Sequence, residues 1–398
     1  MQRWFVVGRL LSLVGLCMVS ACADLGDAPP SRTGVGTGGT SVPVGGTGGS
    51  GGFGGGSVVG GSGVDCQGPG EMVPERPLTL TADQVAIRLA DFLWRKPADA
   101  ALLAKVAAAA PRTTRDVAAL ATEMQKDDRF LTAMDLFARS WLELDRLSGA
   151  MPKTVPDFDQ ALVADMTEES LRFFRFVLGD SAGTFGQLLT APLTFVNGRL
   201  AALYGMPDVV GAEWRQVSLD ARQRAGVSTL LGRLTADPTT TRRGGWVLRA
   251  LQCGPSLPGH PAGIPTQITS AEQFRKEMTE GPACKACHTN LDPWGFPFDH
   301  FDDVGRFAPT SIDLKGSGSL PDGSTLQFDG PASLMSALAS SCDVQRCFVK
   351  QMLSFASAAV RPDADPNVVI ALSAFRKSGW QLRSLIVAIT QTPGFLAP

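Results

Sequence analysis

The chain has three histidines among its 398 residues, and one of them, His288, directly follows Cys287, three positions after Cys284. The run Cys284-Lys285-Ala286-Cys287-His288 admits four chemistries. Two thiols at this spacing can add to the two vinyl groups on one side of a porphyrin. A helical turn then puts the next residue's imidazole on the iron, which is the C-x-x-C-H pattern of covalent haem c. The same thiols can cycle as a redox disulfide, although no βαβ pattern surrounds them. They can form half of a zinc site completed by Cys342 and Cys347, or a structural disulfide without a cofactor. One covalent haem is the leading reading, with His288 as proximal ligand, because haem c is attached outside the cytoplasm and the N-terminus points there.

Residues 1–21 read as a bacterial export signal: Arg3 and Arg9 precede the apolar run Leu10 to Val19. That run falls short of the ~20 apolar residues of a permanent membrane span. It ends in Val19-Ser20-Ala21-Cys22, a lipobox in which Cys22 would be acylated and become the mature N-terminus. Ala23, where Asp would favour inner-membrane retention, favours the outer membrane, with the body in the periplasm or on the cell surface. Between Thr33 and Gly63 sixteen of 31 residues are Gly, too few of them apolar to offset the entropy of ordering. Residues 22–78 therefore read as a flexible tether, with a mean reach from Cys22 to Cys66 of about 40 Å.

The second axial ligand is less legible. Met335 is the distal candidate and Met352 lies further on; Met/His ligation would raise the potential. Both also fit a helix core, while His300 and His260 are weaker candidates and a five-coordinate iron remains open. Asp292, Asp299, Asp302 and Asp303 form an acidic cluster without EF-hand spacing, expected to be loop carboxylates or local caps. Cys66, Cys253, Cys342 and Cys347 remain, an even number in an oxidising compartment with three pairings possible. Cys342 and Cys347 could pair locally, or either could reach Cys253. Net charge is −2 with no Lys/Arg block, so nucleic-acid binding has no compositional support.

The elements that must carry these residues are mainly α. Thr79 to Leu234 reads as almost wholly helical, opened by a Thr81/Gln84 capping box with Val85, Leu89, Phe92 and Leu93 on one face. A stripe from Phe130 to Leu147 and a helix opened by Asp157 and Gln160 follow. The segment "PTTTRRGGWVLRALQC" reads as a loop feeding a short helix that ends at Cys253. Four prolines come next, then a short helix capped by Ser270 and Gln273 that leads into the cysteines. Residues 307–328 favour turns, with a small hairpin at Pro321-Asp322-Gly323. Helices return at 331–340, 343–360, 366–377 and 379–391. The expected organisation is a signal (1–21), the tether (22–78), a helical domain (79–234), a haem segment (235–328) and a C-terminal helical domain (329–398).

The run "CKACHTNLDPWGFPFDHFDDVGRF" resembles the haem segment of planctomycete-type cytochromes, a family of secreted multidomain proteins. Its pattern continues from C-x-x-C-H through Asp292, Pro293, Gly295, Phe296, Asp299, Phe301, Asp302, Gly305 and Arg306. Asp299 stands where Glu is commoner. "RLADFLWRKPADAALL" and "LTFVNGRLAALYGMP" are similar to the family's preceding helical module. "RRGGWVLRALQC" is similar to its approach to the motif, and "FDGPASLMSAL" and "FRKSGWQLRSLIVAITQTPGF" to its C-terminal module. The resemblance implies the architecture and the haem more than any reaction. An anchored c-type cytochrome handing electrons to an extracytoplasmic redox partner is the expected function. The alternatives are a haem-dependent oxidoreductase and a surface scaffold with structural cysteines only.

Overall fold

Thr81 starts the ordered helical body by reciprocal capping. Its hydroxyl accepts from the Gln84 amide at 3.3 Å, while the Gln84 side chain accepts from the Thr81 amide at 2.9 Å. The structure, a computed structural model, describes residues 69–397 apart from 151, 153, 156, 157, 180–182, 256–270, 281–283, 358, 360 and 361. The export segment, residues 22–68 of the expected tether with Cys22 and Cys66, and Asp157, His260 and Ser270 lie outside the described residues. Residues 69–78, expected as the end of the tether, instead lie on the body: the Leu78 amide donates to the Arg112 carbonyl at 2.8 Å and the Glu71 amide to the Ser373 hydroxyl at 2.9 Å. Among the described residues no helix is long and apolar enough to cross a membrane.

Helix α1 (Ala82–Leu93) buries Val85, Leu89, Phe92 and Leu93. It stops before Pro97, with Arg95 in the left-handed region, and α2 (Ala100–Ala109) restarts on an Asp99 cap. Next come α3 (Thr114–Met124), boxed by Thr113 and Asp116, and α4 (Asp128–Trp141), capped by Asp127. The apolar stripe expected to run as one helix to Leu147 breaks at Glu143, which turns left-handed and leads into a 3-10 turn at Leu144–Gly149. Helix α5 (Gln160–Gly179) is capped from Asp159, whose carboxylate accepts from the Leu162 amide at 2.7 Å.

The stretch to Leu234 is not wholly helical. After α6 (Phe185–Thr190), β1 (Leu193–Val196) pairs antiparallel with β2 (Arg215–Ser218), around α7 (Gly198–Leu203). Periodicity missed these strands because four residues after Pro192 are too few to show a period of two. Helix α8 (Leu231–Ala236) is short. Helix α9 (Thr240–Trp246) runs into a π-helical turn at Val247–Leu251. Helices α10 (Ala271–Glu280) and α11 (Lys285–Leu291) follow. The expected hairpin is β3 (Lys315–Ser319) against β4 (Thr325–Asp329), turning at Gly323 with φ 84°. Helices α12 (Gly330–Ala339), α13 (Cys342–Ser357), α14 (Pro366–Lys377) and α15 (Leu382–Thr390) end the chain. The protein is mainly α.

The three body segments do not have separate cores. One apolar cluster runs from Leu80 to Leu396. Phe348 of α13 is its hub, with ring centroids 5.7 Å from Phe137, 5.2 Å from Trp141, 4.8 Å from Phe185 and 6.4 Å from Phe375. Helix α15 packs on α3, and α13 on α1 and α4, so the C-terminal helices complete the first helical segment. Cys253, after the π turn, is joined to Cys347 of α13 with Cα atoms 5.4 Å apart, closing a 94-residue separation. In the chain-entropy account such a loop contributes about 4–5 kcal/mol. Cys342 is disulfide-bonded too. Local pairing of Cys342 with Cys347 does not occur.

Beneath β1, Glu169 of α5 is fully buried and accepts hydrogen bonds from Thr194 at 2.8 Å and from Tyr204, the chain's one tyrosine. Burial raises its pKa to about 7, against the hydroxyls and nearby Arg224. The folded state therefore holds this proton more tightly than the unfolded chain. The associated stability is complete below about pH 4.5 and is lost as pH rises through about 7, a difference of ~3 kcal/mol. Glu169→Gln should flatten that part of the profile. Urea unfolding from pH 5 to 8 checks it, and parallel wild-type and Glu169→Gln profiles would contradict the assignment.

Candidate functional site

The short helix α11 presents the sulfur and imidazole groups together. The Cys284 carbonyl accepts from the Cys287 and His288 amides at 3.2 and 3.1 Å, so the helical repeat begins at the first cysteine. Positions i, i+3 and i+4 of a helix share one face, which brings Cys284, Cys287 and His288 together. All three residues are half-buried, and neither cysteine is in a disulfide. The zinc alternative fails because Cys347 is bonded to Cys253 and Cys342 is disulfide-bonded. Among the described residues no group of three or more His, Cys, Asp or Glu is arranged to hold a metal ion.

His288 is oriented from below. Its Nδ1 lies 2.9 Å from Asp292 Oδ2, with Thr241 Oγ1 of α9 at 3.5 Å. An ionised carboxylate can only accept, so Nδ1 carries the hydrogen and Nε2 holds the ring's lone pair. Asp292 was expected among solvated loop carboxylates or local helix caps, and it stands at the C-cap of α11. It is fully buried rather than solvated, and its Oδ1 has no hydrogen-bond partner. The i,i+4 step from His288 to Asp292 was the signal available in the sequence.

Two backbone contacts hold α11 against α9. A Cβ on Gly244 would overlap the Leu291 carbonyl oxygen, and one on Gly295 would overlap the Thr240 carbonyl oxygen. Only hydrogen at both positions lets the chains touch. Trp294 is buried beside this contact and stacks on Phe328 at 5.5 Å, while Gly318 of β3 leaves room for its ring. The small hairpin thereby covers the turn after α11.

Arginines fasten the rest. Arg243 of α9 donates to the carbonyls of Asp237, Phe298, Phe301 and Asp302 at 2.6–3.1 Å. Burial lowers its pKa to about 10, against the pull of Asp299 and Asp302. Arg275 of α10 grips Asp299 Oδ2 at 2.6 and 3.1 Å and lies 4.0 Å over the Phe296 ring. Thr240 donates to the other Asp299 oxygen at 2.6 Å. Asp302 accepts from the Val304 and Arg306 amides and from the Arg306 guanidinium, and Gly305 turns with φ 76°. Asp303 accepts from the Thr154 amide at 3.3 Å. Asp299, Asp302 and Asp303 are thus brace and cap residues.

The other sequence candidates are placed as follows. Met335 and Met352 are buried in α12 and α13, inside the apolar cluster. The Nε2 atom of His300 contacts the Ile312 carbonyl at 3.1 Å, and its ring packs on Phe307. Sequence reasoning did not single out Thr241, Arg243 or Arg275, because what each does depends on groups far away in the chain.

Three family models match the chain in succession, each described as a protein of unknown function: DUF1592 over residues 80–206, DUF1588 over 224–311 and DUF1585 over 324–395. These are domains associated with planctomycete cytochrome C, in agreement with the family resemblance. The second match contains the whole run from Cys284 to Arg306. No curated protein and no solved structure matches the chain.

Arg243→Lys should cost about 2–4 kcal/mol, because an ammonium cannot reach four carbonyls spread around a planar fork and leaves buried acceptors unpaired. Denaturant unfolding checks this; a variant within about 0.5 kcal/mol of wild type, the range of an ordinary surface change, would contradict it.

Proposed function

We propose that the protein is an envelope-anchored c-type cytochrome that holds one covalent haem c at Cys284, Cys287 and His288 and transfers electrons to an extracytoplasmic partner. The observation that carries this reading is the shared helical face of two cysteines and a histidine whose Nδ1 is engaged by a buried carboxylate. The residues fit the group. The thiols are spaced for two thioethers and the imidazole offers Nε2. Oδ1 of the buried Asp292 carboxylate has no hydrogen-bond partner, and its Oδ2 faces the imidazole. The match to cytochrome-associated domains supports the same reading.

When bound, the haem supplies a one-electron couple outside the cytoplasm. The chain's residues orient and enclose it. Asp292 sets the imidazole; the Gly244–Gly295 contact fixes α11 relative to α9. Met335 is kept as the distal candidate, on a helix that packs against the turn at Phe296–Phe298. Lipidated Cys22 and the Gly-rich tether would hold this body to the outer membrane, in the periplasm or at the cell surface.

Envelope-matured protein should carry haem mass on the peptide spanning Cys284–His288. Cys284→Ala and Cys287→Ala should each remove one thioether, and His288→Ala should alter the spectrum of whatever haem is retained. Mass spectrometry decides it: that peptide without added haem, from cells with intact cytochrome maturation, overturns the assignment.

Cys22→Ala should release the protein from the membrane fraction while leaving the body folded. Fractionation at low and high salt checks the anchor, and a variant still bound at both would refute it.

A further inference from the structure

Buried acids in this protein come with partners that answer their charge. Asp237 is paired with Arg233 and Arg146, and Asp343 with Arg346. Glu169 has two hydroxyls and Arg224 nearby. Asp292 differs in having no arginine or lysine paired with it: among the described residues it is fully buried, its Oδ2 meets the imidazole of His288, and its Oδ1, like Oε2 of Glu169, has no hydrogen-bond partner. Removing a carboxylate from water costs several kcal/mol unless a positive charge offsets it. A side chain kept there merely to fill space would be better apolar.

Its position is also tightly held. Asp292 caps α11, one turn after His288. Its carbonyl accepts from the Gly295 amide at 2.8 Å, and Gly244 closes on the adjacent Leu291 carbonyl. These contacts hold the backbone at Asp292 against α9, with its carboxylate 2.9 Å from the ring.

We infer that Asp292 is a positioning residue that makes His288 an electron-rich axial ligand and so lowers the reduction potential of the centre. The inference rests on the haem reading. By accepting the Nδ1 hydrogen, a carboxylate fixes ring orientation and tautomer and raises the basicity of Nε2. The carboxylate also lies behind the ring fully buried, where Coulomb interactions are stronger than in water. Ferric iron carries one more positive charge than ferrous, so the oxidised state gains more from both effects. The couple is Fe(III) plus one electron giving Fe(II), with the electron supplied by a reduced redox partner. A centre biased in this way is suited to passing electrons on to a higher-potential acceptor. Thr241 at 3.5 Å is too distant to compete with the carboxylate.

The experiment compares matured wild-type protein with Asp292→Asn, Asp292→Glu and Thr241→Val. Midpoint potentials come from optical redox titration. Asparagine keeps the shape and an acceptor oxygen but loses the charge. At the wild-type midpoint, Asp292→Asn should raise the reduced-to-oxidised ratio at least about tenfold, a shift of ~59 mV for one electron. Glutamate should recover most of that shift, and Thr241→Val should leave the potential near wild type. An Asp292→Asn protein with haem attached and an unchanged potential overturns the inference while leaving the haem reading intact. Haem-free wild-type protein overturns both. If the Asp292 variants do not mature, nitrogen-edited NMR of reduced wild-type protein decides the point. A slowly exchanging His288 Nδ1 hydrogen is expected, and a ring without a protected Nδ1 hydrogen refutes the inference.

Discussion

Two backbones touch between α9 and α11, and the geometry of the site follows from that contact. Gly244 lies on the Leu291 carbonyl and Gly295 on the Thr240 carbonyl. Any side chain at either position would push α11 away from Thr241 and carry His288 and Asp292 with it. Asp292, next to Leu291 at this contact, is fully buried.

The chain from Phe298 to Asp302 turns beside α9, with Phe298 and Phe301 buried and their carbonyls in need of donors. Arg243 collects them, with those of Asp302 and Asp237, in one planar fork. Arg275 and Thr240 share the Asp299 carboxylate between α10 and α9. Buried arginines thus replace regular secondary structure in ordering the residues after α11. Asp292 is the exception in this arrangement. Among the described residues its carboxylate is hydrogen-bonded to the imidazole alone, on the helix that carries two cysteines and a histidine.

The three domain matches describe sequence segments rather than independent bodies. Phe348 in the last segment packs on Phe137, Trp141 and Phe185 of the first, and the Cys253–Cys347 bond ties the last to the approach to the cysteine motif. Neither the first nor the last segment would bury its apolar faces alone. A change at the outer helices can therefore reach α9 through the core, and through α9 the placement of His288.

Local information carried much of this protein. The Thr81 capping box, the apolar faces of α1 and α5, the turn at Pro321-Asp322-Gly323 and the last four helices were legible because each depends on residues within one or two turns. The C-x-x-C-H face was legible for the same reason, since a helical repeat alone brings Cys284, Cys287 and His288 together. Tertiary structure decided what the sequence left open. Cys253 chose Cys347, 94 residues away, because α13 packs on the π turn. The pairing of β1 with β2 and the break at Glu143 overrode helical patterns through contacts distant in the chain. Asp292 looked like one more loop acid, because an acid's burial depends on the chains that close over it. Here two glycines 51 positions apart in sequence close that space, and no local pattern records that they meet.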